Sequence, residues 1–243
     1  MKQTLFFSMI FLAGLLLSAK SQSQNLVAKP YIFETAFLND SKHNDTSFTK
    51  FLAIDLGPLK IESGKLIVCD PIQVHNAQPV PYDFPKGNFP IQLAFAYIDS
   101  TEIDSLHYVS YCRIKFSNAP VHQWILTPYS QGRITLSGST NTSYQYIAFS
   151  ESGIILDQNA RNDLIKWPFS RWASFFVDTL NNPNVVNSWK LKYFGKHNFA
   201  AFSGHDIITF KVYIGLDANK KICRLLVDTG MFLLPQSNYP TID

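Results

Sequence analysis

The sequence predicts an α+β fold, mainly antiparallel β in a sheet or sandwich, with two helices inserted near residues 157–180. Three observations carry this. From Tyr31 to Phe149 the chain runs in short stretches rich in Ile, Val, Phe, Tyr and Leu, separated by Gly, Pro, Asn and Asp clusters. After Gly153 the apolar period lengthens to that of a helix. The tail then returns to strand-like runs that close in a hairpin.

In chain order, strands are expected over Tyr31–Phe37, Phe48–Leu56, Lys65–Cys69, Ile91–Tyr97, Tyr108–Phe116, His122–Leu126, Arg133–Leu136 and Tyr144–Phe149. Glu62-Ser63-Gly64, Pro85 to Asn88 and Ser117 to Pro120 mark turns between them. Asp157 is placed to cap a short helix through about Ile165, and Pro168 suits the first turn of a second. There Phe169, Trp172, Ala173, Phe176, Val177 and Leu180 recur at helical spacing and form one apolar stripe, expected to pack on a sheet. Asn181 to Asn184, with Pro183, ends that helix. Strands follow at Asn198–Phe202, Ile207–Leu216 and Lys221–Asp228, the last two joined by the loop Asp217 to Lys220. One α+β unit is expected from about Leu26 to Leu234, with a sub-boundary near residues 150–157.

A hydrophobic content of 46% against 16% charged residues excludes a disordered or fibrous chain. Lys2 precedes an apolar run from Leu5 to Leu17, and small residues Ala19 and Ser21 follow before the polar stretch up to Asn25. This pattern reads as a signal peptide over residues 1–21, with a soluble secreted or periplasmic product beginning near Gln22. The run is short of the ~20 residues that span a bilayer, so no transmembrane span is expected after cleavage. Removing Lys2 and Lys20 lowers the formal charge from +3 to +1. The remaining basic residues are scattered in short pairs such as Lys220-Lys221, which argues against a nucleic-acid partner. Cys69, Cys112 and Cys223 each lie in an apolar run and are expected to be buried free thiols, with one disulfide in any of three pairings and one leftover thiol as the alternative that an oxidising compartment permits.

The order of local signals resembles a known family. Gly64 to Pro71, Pro81-Tyr82, Pro85 to Ile91 and Pro120 to Trp124, followed by Ser203 to Asp206, Tyr213 to Asp217 and Leu225 to Asp228, are similar to the bacterial domain of unknown function 4241. The likeness runs from about Leu59 to Asp228. It implies a β-rich fold with a small helical insertion, and it brings no activity with it. His205 and Ile207 stand where that family usually has glycines on either side of the aspartate.

Candidate chemistry is sparse. Leu225 to Gly230 ends in Asp228-Thr229-Gly230, the tripeptide of an aspartic protease, but that chemistry needs two such aspartates sharing a proton. With one copy and 13 residues after Gly230, Asp228 reads as a turn residue. The strongest ligand-binding candidates are Ser203, His205 and Asp206 on one loop, with Tyr213 on the following strand as a wall. Gly204 frees that backbone, and His205 is suited to proton exchange near neutrality. His43, His75, His107, His122 and His197 share no metal-ligand spacing, the cysteines lack paired spacing, and Asp217 with Asn219 does not complete a calcium loop, so no metal is expected. Trp167, Phe169, Arg171 and Trp172 are read as packing residues. No cofactor fingerprint appears. The leading expectation is a non-catalytic binding or interaction domain of the cell envelope, partnered by an unknown protein or small ligand. The alternative is a hydrolase using an acid/base loop around His205 and Asp206.

Overall fold

The computed structural model describes residues 32–38, 50–97, 107–128, 146–147, 152–180, 189–203 and 209–231. The signal segment, the strand expected at Arg133–Leu136, His43, His205 and Asp206 lie outside these residues. Mainly antiparallel β-structure with a few short helices is observed, as the periodicity predicts. The strands are β1 (Lys50–Ile61), β2 (Leu66–Cys69), β3 (Gly87–Tyr97), β4 (His107–Lys115), β5 (Gln123–Leu126), β6 (Tyr146–Ile147), β7 (Ser152–Asp157), β8 (Trp189–Phe194), β9 (His197–Ser203), β10 (Thr209–Leu216) and β11 (Ile222–Asp228). Three helices, α1 (Ile32–Thr35), α2 (Gln158–Leu164) and α3 (Phe169–Leu180), and a 3₁₀ turn at Pro71–Gln73 complete the described elements.

Two sheets form. The larger runs β1-β3-β4-β11-β10-β5, with β6 paired to β10, and the smaller runs β2-β7-β9-β8. Every described pairing is antiparallel. Side-chain alternation gives each sheet two apolar faces. Leu59, Ile91, Leu93, Cys112, Ile114, Val212, Ile214, Leu225 and Val227 of the large sheet meet Leu66, Val68, Ile155, Ala200 and Phe202 of the small one in a shared core. The outer face of the small sheet carries Ile67, Cys69, Ile154, Leu156, Phe199 and Ala201 beneath Ala160, Leu164, Trp172 and Phe176 of the two longer helices. The outer face of the large sheet is covered by α1 and the turn after it, through Ile32, Phe33, Ala36 and Phe37. No described helix is long and apolar enough to cross a membrane.

Local chemistry accounts for most element ends. Asp157 caps α2 by accepting from the Asn159 N–H at 2.8 Å, and its other oxygen accepts from Glu62 N, Ser63 N and Ser63 Oγ. Asp217 Oδ1 accepts from Asn219 N and Lys221 N, which shapes the expected hairpin between β10 and β11. The three cysteines are free and buried, and burial pushes the Cys69 and Cys112 thiols up.

Four elements differ from expectation. Residues 32–35 are helical where a strand is expected, because Ile32, Phe33, Ala36 and Phe37 present one helical face to a ready-made sheet. Phe169 is 64% exposed, outside the core stripe; it opens α3 and meets the core only edge-on through Trp172, 5.1 Å away. β7 and β8 are additional strands, and both belong to the small sheet.

Candidate functional site

Register builds a polar and aromatic patch on the outer face of the large sheet. Cys112 and Ile114 point into the shared core, so Arg113 between them points outward; Leu225 does the same for Arg224. Across the strands, Gln92, Arg113, Leu226, Tyr213 and Leu126 stand side by side in one row. The next row on one side holds Tyr111, Asp228 and Lys211, and on the other Lys115, Arg224, Gly215 and Trp124. Gly215 is required there: a Cβ would stand 2.9 Å from Arg224 Cβ and 3.0 Å from the Trp124 ring.

The Ile32–Leu38 segment lies on this patch. Phe33 is fully buried, its ring centroid 4.7 Å from Tyr213, 5.3 Å from Trp124 and 5.6 Å from Tyr111. The Arg113 guanidinium lies over the Phe37 ring at 4.0 Å. Glu34 takes both arginines: Oε1 accepts from Arg224 Nε at 3.2 Å, while Oε2 is 3.5 Å from Arg224 Nη2 and 3.4 Å from Arg113 Nη1. Arg224 Nη1 also donates to the carbonyls of Ser117 at 2.6 Å and Cys223 at 2.8 Å, and Arg113 Nε donates to Gln92 Oε1 at 2.9 Å. Both guanidinium side chains are under 10% exposed, whereas Glu34 is 37% exposed. Burial is the main reason the Arg113 guanidinium falls to about 10; Glu34 opposes the fall and Arg224 adds to it. Two buried cations thus share one half-exposed carboxylate. Such an arrangement selects an anion, since a buried guanidinium left unpaired costs several kcal/mol.

Asp228 closes the patch. Burial pushes its carboxyl up to about 6, against the Gly230 N–H donated at 2.9 Å and the charge of Lys211. Thr229 ties the turn to β4 by donating its hydroxyl to Val109 O and its N–H to Ser110 O, and Gly230 follows with φ +77°.

The expected site residues are placed as follows. Tyr213 is buried under Phe33 on the outer face of the large sheet. Ser203 ends β9 of the small sheet, paired with Ser152. Alternation from Phe202 in the shared core puts it on the helix-covered side with Ala201. These two residues therefore face away from each other across the whole sandwich. A sequence signal for the arginines exists: Arg113 lies between Cys112 and Ile114 and Arg224 between Cys223 and Leu225, and a charge flanked by apolar residues in a strand run requires a partner.

A second polar cluster is structural. His197, only 4% exposed, lies with Nε2 2.9 Å from Asp163 Oδ2 and Nδ1 3.5 Å from Glu62 Oε2. Hydrogen bonding from Lys166, and then from His197, holds the Asp163 carboxyl down at about 2; Lys60 does the same in direction for Glu62. Its Nε2 contact to Asp163 and the nearby Glu62 carboxylate tie α2 to the end of β1. Among the described residues, no group of three or more His, Cys, Asp and Glu side chains converges as metal donors.

No curated protein and no solved structure matches the chain. Residues 59–227 match the family described as Protein of unknown function (DUF4241); they carry the central strands, both arginines and the aromatic bed, and the chain belongs to that family.

Proposed function

We propose that the chain is an exported, non-catalytic interaction domain of the cell envelope, secreted or periplasmic, whose binding surface is the outer face of the large sheet. The observation that carries it is the seating of Glu34 on Arg113 and Arg224 beside Phe33 in its aromatic bed. Arginine and large aromatic side chains dominate the energetics of protein recognition, and here they are preorganised by strand register rather than by loops. The basic start, short apolar run and small residues of the first 21 positions support export.

Affinity purification of the tagged full-length protein from its native envelope, with mass spectrometry, tests the reading. A partner recovered with the wild type and lost with a well-folded Arg113→Gln/Arg224→Gln variant is the expected result, and calorimetry with that purified partner then gives its Kd. Turnover of an ester, peptide or glycoside that His205→Ala or Asp206→Asn removes would replace this reading with the hydrolase. N-terminal mapping of the native protein is expected to begin near Gln22; an intact Met1 would overturn export.

A further inference from the structure

Resting on that reading, the Ile32–Leu38 segment specifies what the face recognises. Its backbone bonds close on the segment itself, with Ala36, Phe37 and Leu38 donating to Ile32, Glu34 and Thr35. Its contacts with the sheet described above are made by side chains. It lies outside residues 59–227, whereas Tyr111, Arg113, Trp124, Tyr213 and Arg224 all lie within them. The matched stretch thus carries both arginines and the three rings that hold Phe33, and the covering segment lies before it.

The cover is also an imperfect match in charge. Its three contacts to guanidinium nitrogens measure 3.2–3.5 Å, beyond the ~2.7–2.9 Å of a strong charge-assisted bond. One carboxylate faces two buried cations. A ligand with a second carboxylate would balance the face better.

We propose that Ile32–Leu38 is a ligand held in cis, and that the partner displaces it with a segment of the same chemistry on another protein: an aromatic residue followed by one carboxylate, with a second carboxylate one helical turn further on, where i and i+4 side chains share a flank. Tethering gives the cis segment an effective concentration on the order of millimolar, so it masks the face from weak competitors while yielding to a better-matched one. The device sets a threshold of affinity for partners.

Fluorescence anisotropy on the full chain tests this with three labelled decapeptides. One copies residues 30–39, the second carries Glu at the position of the exposed Leu38, one turn beyond Glu34, and the third carries Gln at the position of Glu34. Each is titrated into the wild type and into Phe33→Ala/Glu34→Lys, which removes the buried ring and places like charge against the arginines. The copy peptide should bind the variant at least tenfold more tightly than the wild type. The diacidic peptide should bind at least threefold more tightly than the copy, the Gln peptide tenfold more weakly, and added salt should weaken both acidic peptides. Independently of the variant, hydrogen exchange on the wild type should show the amides of Phe33 to Leu38 losing protection when the diacidic peptide saturates. Equal binding of all three peptides would overturn the acidic chemistry while leaving the face as a binding surface. Equal affinity for wild type and variant, with unchanged exchange, would overturn the cis ligand. Failure of every peptide on a variant with native near-ultraviolet circular dichroism would remove the binding face itself. Concentration-dependent dimers of the wild type that dissolve in the variant would assign the occupant to a second copy and overturn a separate partner.

Discussion

The two outer faces of the sandwich are covered in opposite ways. Over the small sheet, Phe175 and Phe176 of α3 meet Phe194 of β8 and Phe199 of β9 in an aromatic layer, with ring centroids 5.2–6.3 Å apart in edge-on and tilted contacts. Over the large sheet, one turn of helix and the residues after it hold a single phenylalanine between three aromatic rings, with a shared carboxylate beside it. The first cover consists of residues within the stretch matched to the family; the second lies before it. Burying apolar area requires no particular partner, so a large dry cover becomes part of the fold. Buried charge does require one, so a small charged cover sits on a surface with a preference.

That contrast is most severely tested by Phe199→Ala. The side chain is fully buried among three other rings, and its loss should cost about 3–5 kcal/mol in a denaturant titration with unchanged slope. A cost below about 1 kcal/mol would mean that the helical cover is as detachable as the other.

Asp228→Asn should act next most strongly, and in the opposite sense. The carboxyl is raised from 3.8 to about 6, so the folded state binds a proton that the unfolded state has released. Wild-type stability should therefore fall as pH rises from about 4 to about 6 and stay level above that, by up to roughly 3 kcal/mol at 1.36 kcal/mol per pH unit. Asn can still accept from the Gly230 N–H, so the variant should be the more stable protein at pH 7.5 and lose that advantage at pH 4. Melting curves at the two pH values decide it; a variant less stable at both would place a needed charge at Asp228.

Phe33→Ala should cost less than Phe199→Ala, about 1–2 kcal/mol, because the segment detaches while the sandwich persists. Hydrogen exchange should show lost protection confined to residues 33–38. A loss spread over β4, β10 and β11 would erase the distinction between the two covers. Smallest of all, Lys166→Ala breaks a 2.7 Å pair with Asp163 in which both partners are largely solvated, and should change stability by less than about 0.5 kcal/mol.

Where a side chain satisfies its own neighbourhood, the fold was legible in the sequence. The Asp157 cap, the turn at Asp217 and the Trp172–Phe176 side of α3 are settled within a few residues of chain, and all appear where expected. β7 was not legible because both its faces are covered; Gly153 to Leu156 forms an apolar stretch without period. β8 did carry a signal, since Trp189, Leu191 and Tyr193 alternate with Lys190 and Lys192 as an edge strand should. The arginine patch was hidden for another reason. Glu34, Arg113 and Arg224 are brought together by strand order alone, and no spacing along the chain records that β4 and β11 are neighbours.

That same strand order has a consequence for the birth of the protein. Glu34 meets Arg224 across 190 residues of chain, and β11, the last described strand to be synthesised, lies between β4 and β10 near the middle of its sheet. At about 5–20 residues per second, Glu34 is made roughly 10–40 seconds before Arg224. Throughout that interval the covering segment has no surface to cover, and the large sheet lacks a central strand. The cover meets its complete face only once β11 has been made and inserted between β4 and β10.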